Sequence, residues 1–98
     1  MMTREQLTER IMAMQAELRA RGVSHMALFG SRARGDARDD SDVDLMVDID
    51  APDFSLLDLI GIEHHLADRL HLPVQITMRR AISDRFRQRT QDDLIELF

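Results

Sequence analysis

Apolar residues recur along this chain in two rhythms. Leu7, Ile11, Met14 and Leu18 fall three or four residues apart, the spacing that gathers side chains on one face of a helix. Thr3 followed by Gln6 is a capping-box pattern that starts this helix, and Gly22 is its expected stop. Val43, Leu45, Val47 and Ile49 instead alternate with more polar positions, which is the period of a strand. Between them, Val23 to Phe29 reads as a first strand. Gly30-Ser31 breaks it and a short helical turn begins at Ser31, and Asp36 to Ser41 reads as a loop.

Ala51-Pro52 ends the second strand. A second helix is expected from about Ser55 to Leu70, with Leu56, Leu59, Ile60, Ile62, Leu66 and Leu70 as a broad buried face. Gly61 lies inside it at a cost of about 1 kcal/mol relative to alanine, which close packing would explain. Pro73 to Thr77 forms a short third strand, and Ser83 caps a third helix reaching about Gln91. Leu94 to Phe98 either continues that helix or forms an edge strand. The order predicts an α+β (α/β-like) domain over residues 1–98, with a small mixed sheet of three to four strands packed against helices.

Composition narrows the possibilities. A chain of 98 residues suits one domain with a modest core. It has no apolar run long enough to span a bilayer, and its polar, helix-like start does not read as a secretion signal. No cysteine is present, so neither a disulfide framework nor a thiolate metal site is available. These features fit a cytoplasmic protein. The net charge of -5 argues against general nucleic-acid binding through phosphate neutralisation. That charge is unevenly placed: eight aspartates lie between Asp36 and Asp53, and five arginines between Arg79 and Arg89. The arginine cluster reads mainly as a solvated helix face, with contact to a nucleotide tail or an acidic partner as its functional reading.

The chemistry concentrates in GSRARGDARDDSDVDL, from Gly30 to Leu45. Asp42 and Asp44 are two apart on a strand, so their carboxylates leave the same face while Val43 and Leu45 point to the core. Two carboxylates held this way repel each other unless a cation lies between them, and hard oxygen ligands suit Mg²⁺ or Mn²⁺. Gly30 allows a sharp turn after the first strand, and Ser31 then stands at a helix start, where free N–H groups favour an anion. Arg32, Arg34 and Arg38 could contact phosphate oxygens from between these two halves. Asp48 and Asp50 share the strand parity but fit a solvated strand end. An EF-hand beginning at Asp40 fails, because Leu45 and Ala51 occupy the positions needing glycine and the last acid. His64 and His65 are adjacent and do not share a helix face, so one is expected partly buried and one exposed. Met12, Met14, Met26, Met46 and Met78 read as core filler or interface surface.

Strand, Gly-Ser, a ten-residue spacer and D-x-D on a strand together resemble the signature of the nucleotidyltransferase superfamily related to DNA polymerase β, and most of all its minimal, MNT-type members. The resemblance covers nearly the whole chain. It implies that Gly30 and Ser31 grip a triphosphate and that Asp42 and Asp44 hold Mg²⁺. It implies transfer of AMP from ATP to an acceptor hydroxyl with release of pyrophosphate. It also implies a partner, a HEPN-domain ribonuclease, in a toxin–antitoxin pair. The family's third carboxylate falls on the next strand at Gln75, which carries no charge and cannot act as a base. The departure leaves room for a second reading, a nucleotide-binding module that works by complex formation.

Overall fold

The Thr3 hydroxyl accepts a hydrogen bond from the Gln6 backbone N–H, and the Gln6 side-chain oxygen accepts one from the Thr3 backbone N–H, closing the expected capping box. In this computed structural model, which describes residues 2–98, helix α1 runs Arg4–Met12 and α2 runs Gln15–Ala20. The single helix expected here is thus broken at Ala13 and Met14, and Met14 bonds back only three residues, to Ile11. Both residues are good helix formers, so packing and not propensity sets the break. Leu7, Ile11, Met14 and Leu18 are nevertheless all buried on one side.

Strand β1 (Val23–Phe29) is followed by the one-turn helix α3 (Ser31–Arg34), strand β2 (Val43–Ile49), helix α4 (Leu56–Leu70), strand β3 (Val74–Met78), helix α5 (Asp84–Thr90) and strand β4 (Ile95–Glu96). A short 3₁₀ turn at Arg79–Ala81, which the sequence did not suggest, links β3 to the last helix. The four strands form a mixed sheet in the order β3-β2-β1-β4. β1 pairs antiparallel with β2 and β4, and β2 pairs parallel with β3. The C-terminal residues therefore make an edge strand and do not extend α5. This is the α+β architecture expected.

One face of the sheet carries the main core: Met26 and Leu28 from β1, Val43, Leu45 and Val47 from β2, and Ile76 from β3. Helices α1, α2 and α4 cover it with Ile11, Leu18, Leu66 and others. Helix α4 buries a narrower stripe than expected. Ile62, Leu66 and Leu70 are buried, but Leu56 and Ile60 are exposed, as is Leu57 at 79%. Ile60 lies two residues from Ile62, about 200° around the helix, so one flat sheet cannot cover both. Gly61 also has no packing reason, since a Cβ there would meet nothing within 4 Å. Ser55 and Asp58 form a second capping box that starts this helix.

Glu63 of α4 reaches the outer strand, where its carboxylate accepts a hydrogen bond from the Ile76 backbone at 2.7 Å. Of the adjacent histidines, His64 is exposed and His65 is half-buried, with Nε2 2.7 Å from Glu17 but outside hydrogen-bond alignment. Among the methionines, Met14, Met26 and Met46 are buried, Met78 packs partly against the core and Met12 is exposed. Among the described residues, no helix is long and apolar enough to cross a membrane.

Candidate active site

The site is built on the opposite face of the sheet. Cross-strand register places Asp44 of β2 between Phe29 of β1 and Gln75 of β3. Asp42, just before β2, has the same parity. The start of that strand is fixed by a hydrogen bond from Val43 N–H to the Pro73 carbonyl at 2.8 Å. Gln75 is exposed beside Asp44, which makes it the neutral neighbour of the pair.

Gly30 turns the chain out of β1 at φ +77, a left-handed conformation open to glycine. A Cβ built on it would run into the Asp44 side chain, with Cγ at 3.2 Å and Cβ at 3.3 Å and a carboxylate oxygen closer still. The Gly-Ser turn and the acidic strand are therefore in direct contact. Helix α3 is only one turn long, so it offers the free N–H groups of its first residues more than a sizeable dipole.

A cleft of about 460 Å³ opens here. Phe29, Gly30, Ser31 and Arg34 line it from β1 and α3, Asp44 from β2, and Arg89, Thr90 and Asp93 from α5 and the turn after it. Helix α5 is held over the site by Phe86, whose ring meets Phe29 edge-on with centroids 5.8 Å apart. Arg89 lies over the Phe86 ring at 5.7 Å. From the Arg79–Arg89 cluster, then, Arg89 alone lines this cleft. Arg79 is committed elsewhere, to Glu96 at 3.1 Å and beside Asp48 at 3.3 Å, at the far end of the same sheet face. Asp48 is thus half-exposed and paired, while Asp50 is solvated and its N–H donates to Gly22.

Charge shapes the cleft. Partial burial, and then the neighbouring Asp42 charge, push the Asp44 carboxyl above its ordinary range, with Arg34 opposing. Arg34 is gripped on two sides, by Asp36 and Asp93 at 3.1 Å each, and these bonds raise its already high pKa. Arg32, expected beside the phosphates, turns the other way. It is buried, and its guanidinium donates to the backbone carbonyls of Arg38, Asp39 and Ser41. Arg38 is exposed in that loop and does not line the cleft.

The donor set suits one kind of cation. Among the described residues, no three acidic or histidine side chains gather into a metal cage. Asp42 and Asp44 are a two-carboxylate set, and Mg²⁺ commonly binds through one or two carboxylates with water and substrate phosphates completing its shell. Of the residues to which the sequence pointed, Gly30, Ser31, Arg34 and Asp44 line the cleft, Asp42 stands two residues before Asp44 with its charge acting on it, and Arg32 turns away. Sequence reasoning missed Phe29, Thr90 and Asp93. Phe86, Arg89 and Thr90 stand three and four residues apart, which was the available signal that α5 faces the site.

Fold and site together define a small α+β domain with paired carboxylates beside a Gly-Ser turn. A family model for the nucleotidyltransferase domain matches residues 11–97, and the chain belongs to that family. It is a minimal member. The protein adenylyltransferase MntA of Thermococcus cleftensis is 40% identical over 83 residues, which are 84% of this chain and 83% of that protein. A solved structure assigned as a minimal nucleotidyltransferase superposes with a TM-score of 0.80 at 33% identity, covering 96% of this chain and 95% of the other. A chain in the solved complex of tri-AMPylated Shewanella oneidensis HEPN toxin with MNT antitoxin matches with a TM-score of 0.70 over 98% of this chain and 72% of its own. At 19% identity that last likeness concerns the fold alone.

Proposed function

We propose that this chain transfers AMP from ATP to a hydroxyl group on a partner protein, and that it is the antitoxin of a HEPN-domain ribonuclease. The observation that carries the reading is the contact between Gly30 and Asp44, which ties the phosphate-gripping turn to the carboxylate pair. The adenylyltransferase name of the Thermococcus relative and the HEPN complex of the Shewanella protein support it.

Each residue then has a task. Ser31 and the N–H groups at the start of α3 would bind the polyphosphate, with Arg34 and Arg89 supplying positive charge. Asp42 and Asp44 would hold Mg²⁺ (or Mn²⁺), which when bound neutralises phosphate charge and polarises the reacting phosphorus centre. In the step itself, the acceptor oxygen bonds to the α-phosphorus, the bond to pyrophosphate breaks, and the hydroxyl proton leaves. Gln75 cannot take that proton.

Gln75 beside Asp44 also favours a second reading, a nucleotide-binding module that neutralises its partner by complex formation. One experiment separates the two. The purified protein is incubated with α-labelled ATP, Mg²⁺ and its HEPN partner, beside Asp42→Asn and Asp44→Asn. Label on the partner that both substitutions abolish establishes transfer. A tight complex with no label under any condition overturns it in favour of the binding reading.

A further inference from the structure

Arg32 is the buried charged residue among those described, 4% exposed, and none of its bonds goes to a carboxylate. Its Nη2 donates to Arg38, Asp39 and Ser41 at 3.2, 3.2 and 2.9 Å, and its Nε to Ser41 again at 3.3 Å. These carbonyls belong to the loop that runs straight into Asp42. Because they are turned inward to the guanidinium, the backbone of that loop is fixed from below. On the solvent side, the Ser41 hydroxyl accepts a bond from Arg38 N–H at 2.8 Å, closing the same loop. The residue before Arg32 is Ser31, which lines the cleft.

We infer that Arg32 is a positioning residue: through the loop of residues 38–41 it sets where Asp42 presents its carboxylate, and so sets the affinity of the Asp42–Asp44 pair for a divalent cation. It does this without touching the nucleotide. Burying a charge is unfavourable unless its bonds are satisfied, and here carbonyl dipoles alone do so. The planar fork of arginine can serve several carbonyls at once, which the point charge of lysine cannot. Lysine at this position would keep the charge and lose the shape of the loop.

The inference rests on the reading of Asp42 and Asp44 as cation ligands, and its test separates the two. Mn²⁺ binding is measured by calorimetry for the unaltered protein, Arg32→Lys, Ser41→Ala and Asp44→Asn, alongside thermal melts and the Mg²⁺ dependence of transfer. Arg32→Lys is expected to stay folded, bind Mn²⁺ at least tenfold more weakly, and need correspondingly more Mg²⁺, with kcat largely restored at saturation. Ser41→Ala, which loosens the same loop but leaves the Arg32 bonds in place, is expected to shift binding in the same direction by a smaller factor. If Arg32→Lys does not fold, Arg32→Gln, which keeps an amide donor toward these carbonyls, is measured in its place with the same expectation. Mn²⁺ affinity within twofold of the unaltered protein in the folded variants overturns the inference, whether or not transfer is seen. Absence of Mn²⁺ binding that depends on Asp44 overturns the ligand reading, and this inference with it. Normal Mn²⁺ binding without transfer overturns only the catalytic reading.

Discussion

No side chain fits between Gly30 and Asp44: a methyl group on the glycine would lie within 3.3 Å of the aspartate Cβ and nearer still to its carboxylate. The glycine also holds φ +77, where an alanine is strained by roughly 1–3 kcal/mol. Gly30→Ala is therefore expected to lower the melting temperature and to displace Asp44. Nucleotidyl transfer should fall by at least about a hundredfold, as misplacement by an ångström can cause. A variant that melts lower yet transfers at the original rate would show that the contact does not set the geometry.

Asp44 predicts a pH effect with a definite sign. Its folded pKa is raised, so the folded state holds this proton more tightly than the unfolded chain. Stability from this group is then fully present below the ordinary aspartate range and is lost as pH rises through the raised folded value. Asp44→Asn should make the metal-free protein slightly more stable near neutral pH. The gain should vanish in acid. Melting curves between pH 3.5 and 7.5 (a range chosen to bracket the usual aspartate pKa, about 3.9) test this, and a gain that grows toward low pH contradicts it.

Gln75→Asp adds a third negative charge beside Asp44. The metal-free protein should become less stable, because like charges across a strand pair repel. Transfer to the acceptor should rise, by about tenfold or more, since a positioned carboxylate can accept a proton or ligate a cation where the amide does so poorly. Single-turnover kinetics with saturating ATP measure the step directly. An unchanged rate would mean that the proton already leaves by another route.

The two faces of helix α4 should respond differently. Leu66 is fully buried, and Leu66→Ala is expected to cost about 2–5 kcal/mol. Leu57 is 79% exposed, and Leu57→Gln should stay within about 0.5 kcal/mol. Urea unfolding of both variants is the check.

That contrast marks what the amino-acid order could tell. Helical and strand periods located β1, β2, β3, α4 and α5 closely, because each has a cap or a breaker at its ends: Ser55, Ser83, Gly22, Gly30. The acidic pair and its glycine were legible because the strand period dictates which side chains share a face. Two kinds of error have a common origin. Apolarity alone placed Leu56 and Ile60 in the core, and charge alone placed Arg32 among phosphates. In each case the deciding fact was a direction fixed by tertiary packing: how much of α4 the sheet covers, and whether the second residue of α3 faces in or out. Phe29 and Asp93 joined the cleft only through the docking of α5, and that depends on two rings far apart in the chain.

Glu63 has a consequence for how this protein can associate. Its bond to Ile76 N–H occupies the open flank of β3, and at the other margin β4 spans just two residues. Both features blunt the sheet margins against an added strand, since a capped edge donor and a very short edge strand each leave fewer groups to pair with. Glu63→Val would reopen the β3 flank, and thioflavin-positive aggregation of that variant under conditions where the unaltered protein stays clear would reveal the guarding role of a single carboxylate.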